Sequence, residues 1–357
     1  MAKIVIKVGS NLLVGKNGIK KNYIIDLVSV VNKLIDDKHS VAIVTSGAAA
    51  SGRKLLNLKS DSKDMISKQA LCAIGQVQLM NIYENAFDFY GKKIAQILLT
   101  RDDFSDRKRF LNLRNTLIGL EHFKVVPIVN ENDTVAVEEI KFGDNDVLSA
   151  MFSICWGADY LLLMTSVDGV LDEKGEVIKE YPLDIHELKI AKIEKTSFGT
   201  GGIDSKISAA KMATESGVNA FIVNGNNLEN ILKVLRGENP GTKFVTSAEK
   251  KLSKRLSWLK YISKPKGKIH INDGAYEALN KRKSLLPVGI LAVEGKFDKG
   301  DVVALCFNNK IFAKGVVNYS SEELEIIKGL KTSEIPESIF TYEEVIHADN
   351  VILEGKV

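Results

Sequence analysis

The chain has 357 residues, 45% hydrophobic and 26% charged, a balance that supports a sizeable core and excludes global disorder. Single cores rarely grow past roughly 250–300 residues, so two domains are expected. The formal net charge of +4 is local: residues 1–249 carry 31 basic and 31 acidic side chains, residues 266–357 carry 12 and 14, and the surplus is Lys250, Lys251, Lys254, Arg255, Lys260 and Lys264.

The N-terminal run Met1–Val8 is too short and too charged for a signal peptide, and no stretch approaches the roughly 20 apolar residues of a membrane span. Short apolar runs follow at Ile4–Val8, Val41–Val44, Lys93–Leu99, Val125–Val129, Tyr160–Met164 and Ala220–Val223. They are rich in Val, Ile and Leu and too short for helices, as expected of strands covered on both faces. Between them lie helix-like stretches at Tyr23–Asp36, Ser67–Tyr90, Phe110–His122 and Ile203–Ser216. The alternation predicts an α/β fold with a mostly parallel sheet between helical layers, its ligand site at the carboxyl ends of the strands. After about residue 250 the pattern changes. Glu249–Ile262 reads as a basic helix, ended by Pro265 and Gly267. Strand-like pieces follow at Lys268–Ile271, Gly289–Val293, Asp301–Cys306, Lys310–Val317 and Asn350–Glu354, with Asn272-Asp273-Gly274 among the turn signals between them. The expected division is 1–250, a basic linker helix at 251–265, and a small β-rich domain at 266–357. Cys72, Cys155 and Cys306 lie far apart with no CxxC pair, against a disulfide framework or a thiolate zinc site, and none of the five histidines is assigned to a metal. A reduced, cytoplasmic setting fits best.

Four places carry candidate chemistry. Lys7-Val8-Gly9-Ser10-Asn11 ends the first strand, where glycine lets the backbone approach an oxyanion and lysine supplies charge; a plain surface turn is the alternative. Thr45-Ser46-Gly47-Ala48 leads from a strand into a helix start and presents N–H groups and a hydroxyl, although tight helix–sheet packing also favours small residues. Asn130-Glu131-Asn132-Asp133 and Gly143-Asp144-Asn145-Asp146 place more carboxylates and amides at a strand end and a helix start than capping needs, and suit an ammonium group or the orientation of lysines. Gly199-Thr200-Gly201-Gly202-Ile203-Asp204-Ser205-Lys206 is a glycine loop running into a helix with a lysine on its first turns. It is neither a P-loop nor a dinucleotide fingerprint, and the sequence lacks the protein-kinase motifs.

With Leu98-Leu99-Thr100-Arg101-Asp102-Asp103, and with Ser284 to Ile290, Gly295, Phe297, Gly300 and Asp301 further on, these motifs give a chain that resembles the amino-acid kinase family over nearly its whole length, in particular its glutamate-phosphorylating members with a C-terminal PUA domain. The resemblance implies a three-layer amino-acid kinase fold and transfer of the γ-phosphoryl of ATP to the side-chain carboxylate of L-glutamate, the first step of proline synthesis. It assigns catalysis to Lys7, Lys206 and Asp146, with Asp146 holding both ammonium groups. It assigns glutamate to Ser46, Asp133 and Asn145, with Asn130 and Asp144 in support. It assigns ATP to Lys7, Thr165, Ser166, Thr200, Gly201, Gly202, Ile203, Asp204, Ser205 and Lys206. Ser166 departs from the aspartate usual there, which touches one nucleotide contact and leaves the phosphoryl chemistry alone. Magnesium is expected with ATP, resting on phosphates and water, with no metal cage in the protein. The resemblance also implies inhibition by proline, hand-over to glutamate-5-semialdehyde dehydrogenase, and a homo-oligomer, dimer or tetramer. Two alternatives stand beside it. One is a kinase of this fold for aspartate, acetylglutamate or a nucleotide; the other is RNA binding through the PUA-like domain. The acidic balance of 266–357 speaks against the second.

Overall fold

The computed structural model describes residues 1–15, 18–58, 64–136, 145–183, 190, 202–247 and 251–354. The chain divides into two compact units, one of Met1–Asp103 with Arg109–Lys251, the other of Leu252–Val357 with the short excursion Phe104–Lys108. The segment expected as a linker therefore groups with the C-terminal unit.

In the first unit the elements run β1 (Lys3–Val8), α1 (Ser10–Leu13), the short pair β2 (Val14–Gly15) and β3 (Gly18–Ile19), α2 (Lys21–Asp36), β4 (Ser40–Val44), α3 (Ala48–Leu55), α4 (Met65–Asp88), β5 (Ile94–Leu99), α5 (Arg101–Ser105), α6 (Arg107–His122), β6 (Val126–Glu131), α7 (Asn145–Trp156), β7 (Tyr160–Thr165), β8 (Glu180–Pro182), α8 (Ile203–Glu215), β9 (Asn219–Asn224), α9 (Glu229–Leu235) and β10 (Thr242–Val245). The sheet order is β5-β6-β4-β1-β7-β9-β10-β8, and the β9–β10 pairing is antiparallel while the other pairings are parallel. β8 and β10 fell outside the sequence reading because each is short and half-polar.

The period of two along β1 decides which face each residue serves. Ile4, Ile6 and Val8 join a core with Leu27 of α2, Leu79 of α4 and Ile231 of α9. Lys7 has the opposite parity, on the face covered by α7 and α8. The chain moves from β1 to β4 on one side and later returns to place β7 on the other, which makes the carboxyl end of β1 a topological switch point, the usual crevice of such sheets.

Two helices, α3 and α4, are held against each other by close backbone contact. A Cβ at Gly75 of α4 would lie 1.8 Å from the Ala48 carbonyl oxygen of α3, and one at Gly52 of α3 would lie 2.0 Å from the Leu71 carbonyl oxygen. Glycine at both positions lets α3 and α4 cross backbone to backbone. α4 starts earlier than its apolar pattern predicts, because the Asp64 side chain accepts from the Ser67 N–H at 2.8 Å and caps it.

The second unit holds a five-stranded sheet in the order β12-β11-β13-β14-β15, built from β11 (Gly267–Ile271), β12 (Ile290–Glu294), β13 (Val302–Phe307), β14 (Lys310–Val316) and β15 (Val351–Leu353). Ile269, Leu305, Phe312 and Tyr319 lie in its core. Two expectations need correction here. The helix expected from Glu249 begins at Lys254, capped by the Ser253 hydroxyl, and its last turn, Trp258–Ile262, is a π-helix. Asn272-Asp273-Gly274, expected as a turn, opens the helix Asp273–Asn280, because the Asn272 side chain accepts from the Ala275 N–H at 2.9 Å. Among the described residues no helix is long and apolar enough to cross a membrane.

Candidate active site

The carboxyl end of β1 delivers Lys7 to the start of α7. Asp146, the second residue of α7, has no exposed surface. One of its carboxylate oxygens pairs with the Lys7 ammonium. The other accepts from Lys206 Nζ, on the first turns of α8, at 2.9 Å. Lys7 and Lys206 are 4% and 7% exposed, so three charges from three elements meet out of water. A buried charge is tolerated only when paired and hydrogen-bonded, and here one carboxylate serves two ammonium groups. The local excess is one positive charge, which suits an anion brought between the lysines.

Beside this bridge a chain of amides lines the start of α3. Gly47, with φ +98°, turns the chain sharply from β4 into that helix. Asn145 Nδ2 shares its two N–H bonds among three acceptors, the Thr45 carbonyl at 2.8 Å, Ser46 Oγ at 3.0 Å and Asn130 Oδ1 at 3.0 Å. Asn130 Nδ2 donates in turn to Gln76 Oε1 at 2.9 Å. The Thr45 hydroxyl and the buried Tyr83 hydroxyl are 3.0 Å apart.

Asp133 lies just past β6 in a cleft of about 220 Å³, lined also by Cys72, Gln76, Glu131 and Thr134. Burial raises its pKa above the usual carboxylate value, and a hydrogen bond from the Cys72 thiol partly offsets that. Burial, then the neighbouring Asp133 charge, pushes the thiol up to about 12, so Cys72 stays protonated and donates.

The remaining expected contacts fall in two groups. Thr165 ends β7, and its carbonyl accepts from the Gly225 N–H at 2.7 Å. The Ser166 carbonyl accepts from Asn226 Nδ2 at 3.5 Å, and Asn224 Nδ2 donates to Asp168 at 2.8 Å, which sets an asparagine-rich rim at the ends of β7 and β9. Gly202 precedes α8, and Ile203, exposed Asp204 and Ser205 form its first turn with Lys206. Asp144, Thr200 and Gly201 lie outside the described residues. The sequence reading did not single out Gln76, Tyr83, Asn224 or Asn226, and named Cys72 only as one of three widely spaced cysteines. Nothing local set Gln76 apart, because α4 also carries Gln69, Gln78, Asn81 and Asn85.

A mostly parallel sheet between helical layers, with lysines converging at its carboxyl edge, defines an α/β protein built to bind an anion at the strand ends. The chain belongs to the amino acid kinase family, whose model matches residues 2–224, and a PUA domain model matches residues 267–339. Among its relatives, a protein of Thermotoga maritima named glutamate 5-kinase is 54% identical over 328 residues, covering 92% of each chain. A Kosmotoga olearia protein of the same name is 52% identical, covering 98% of this chain and 99% of that one. Among solved structures, the carbamate kinase of Giardia matches with a TM-score of 0.50 at 16% identity, covering 69% of this chain and 99% of the other, a likeness of fold alone.

Proposed function

We propose that this chain transfers the γ-phosphoryl of ATP to the side-chain carboxylate of L-glutamate, giving L-glutamyl 5-phosphate. The observation that carries the reading is the buried Lys7–Asp146–Lys206 bridge at the switch point of the sheet. The names of the relatives supply the substrate.

A carboxylate is already a nucleophile and needs no general base. The work left to the protein is to bring two anions together and to stabilise charge moving onto the β–γ bridge. In this reading Lys7 meets the transferring phosphoryl group, and Lys206 meets the nucleotide phosphates with the first turn of α8. Asp146 holds both ammonium groups in place before ATP arrives, which removes reorganisation from the reaction step. Ser46, Asn145 and Asp133 hold glutamate, with Asp133 on its ammonium. Thr165, Ser166 and the 200–206 segment hold the nucleotide.

Magnesium in this reading rides on phosphates and water. Feedback by proline, hand-over of the acyl phosphate to glutamate-5-semialdehyde dehydrogenase, a homo-oligomer and a cytoplasmic setting belong to the same proposal. Free glutamate is favoured over aspartate, acetylglutamate or a nucleotide by the Asn130–Asp133 cluster and the appended PUA domain.

The test is ATP-dependent ADP release across L-glutamate, L-aspartate, N-acetylglutamate and UMP. Turnover with glutamate at least about a hundredfold above the others is expected, the scale at which a site rejects a substrate lacking a required group. Preference for any other acceptor would overturn the reading.

A further inference from the structure

Gln76 is 8% exposed in the middle of α4, and its Nε2 is buried with no partner among the described residues. Hydrogen bonding fixes which end of this amide is which. The Glu131 backbone N–H donates to Asn130 Oδ1 at 3.0 Å, so that atom must be an oxygen. The other amide atom of Asn130 is then a nitrogen, and the Gln76 atom it meets must be an acceptor. Asn145 is fixed in the same way, because the Thr45 carbonyl can only accept from it. Donation therefore runs one way, from Asn145 to Asn130 to Gln76. The chain ends in two buried atoms, Asn145 Oδ1 and Gln76 Nε2, that have no partner among the described residues.

A buried N–H without an acceptor costs stability, so a core alone would be served as well by an apolar side chain of this size. What the glutamine contributes is Oε1. Without that acceptor Asn130 has a buried donor to satisfy, and turning its amide over would set a nitrogen against both the Glu131 N–H and Asn145 Nδ2. We infer that Gln76 is a positioning residue for the amino-acid substrate: by accepting from Asn130 it fixes the direction of the amide chain, so that Asn145 keeps Oδ1 free as an acceptor for the substrate ammonium. The inference rests on the proposed function, which places glutamate against Asn145 and Asp133. The Gly75 contact with α3 supports it, because it locks the backbone next to Gln76 against the helix start that follows Ser46.

The test is steady-state kinetics of the full chain carrying Gln76→Leu, with Gln76→Met in its place should Leu not fold. KM for L-glutamate is expected to rise about tenfold, the worth of one well-placed hydrogen bond, while kcat and KM for ATP change less than about twofold. Gln76→Glu keeps an acceptor for Asn130 and is expected to hold KM within about threefold of the parent. If Gln76 acts through Asn145, adding Gln76→Leu to Asn145→Ala worsens KM no further. An unchanged KM in Gln76→Leu, a Gln76→Glu as impaired as Leu, or additive effects in the double variant would each overturn the inference alone. A parent protein that does not phosphorylate glutamate would overturn the proposed function along with it.

Discussion

Asp146 is the residue on which the candidate site turns, because it is the shared counter-ion of two buried lysines. Removing Lys206 leaves Asp146 paired with Lys7, so Lys206→Ala is expected to fold with a small loss of melting temperature and to lower kcat by about 10²–10³, the range for removing one charge-stabilising donor. Steady-state rates and a thermal melt check this, and near-normal turnover would remove Lys206 from the chemistry. Asp133 makes a prediction in pH. Its carboxyl must be ionised to pair with an ammonium group, and burial raises its pKa. Glutamate binding should therefore weaken as pH falls through that raised value. Asp133→Asn should raise KM and flatten its pH dependence, which KM–pH profiles of the two proteins would show; parallel profiles would contradict the assignment. The places of Lys7 and Lys206, at a strand end and on the first turn of a helix, were legible because both are local patterns. Gln76 was not, because its meaning depends on Asn130, 54 positions away, and on which end of each amide donates.

At the scale of elements, the strands were the most legible part, since a continuous Val/Ile/Leu run must be covered on both faces. The boundaries that misled were those set by one side chain. Asn272 turns an apparent loop into a helix start, and Ser253 sets the helix at Lys254. The crossing of α3 and α4 was hidden because Gly52 and Gly75 read locally as weak points in helices. Their role predicts that Gly75→Ala forces the two backbones apart and costs about 3 kcal/mol, the upper end of overpacking penalties. Urea denaturation measures this, and glutamate KM should rise with it, since α3 follows Ser46 directly. An unchanged midpoint would show that the crossing is loose.

At the scale of the whole molecule, the positive charge carries less meaning than its total suggests. The first 249 residues are balanced and the last 92 are slightly acidic. The surplus lies in and on either side of a short helical segment, Lys254–Ile262, whose Trp258 is buried, its Nε1 donating to the Phe104 carbonyl at 3.0 Å. A nucleic-acid-binding domain is expected to be basic overall, and 266–357 carries 12 basic against 14 acidic side chains. In the proposed reaction the anions are instead met by Lys7 and Lys206, a buried pair that net charge does not reveal. The most direct test is hydroxylamine trapping in a reaction of the full chain with ATP, magnesium and L-glutamate. The account predicts ATP-dependent γ-glutamyl hydroxamate, formed in step with ADP. ADP release without hydroxamate, or hydroxamate at the α-carboxyl, would contradict it.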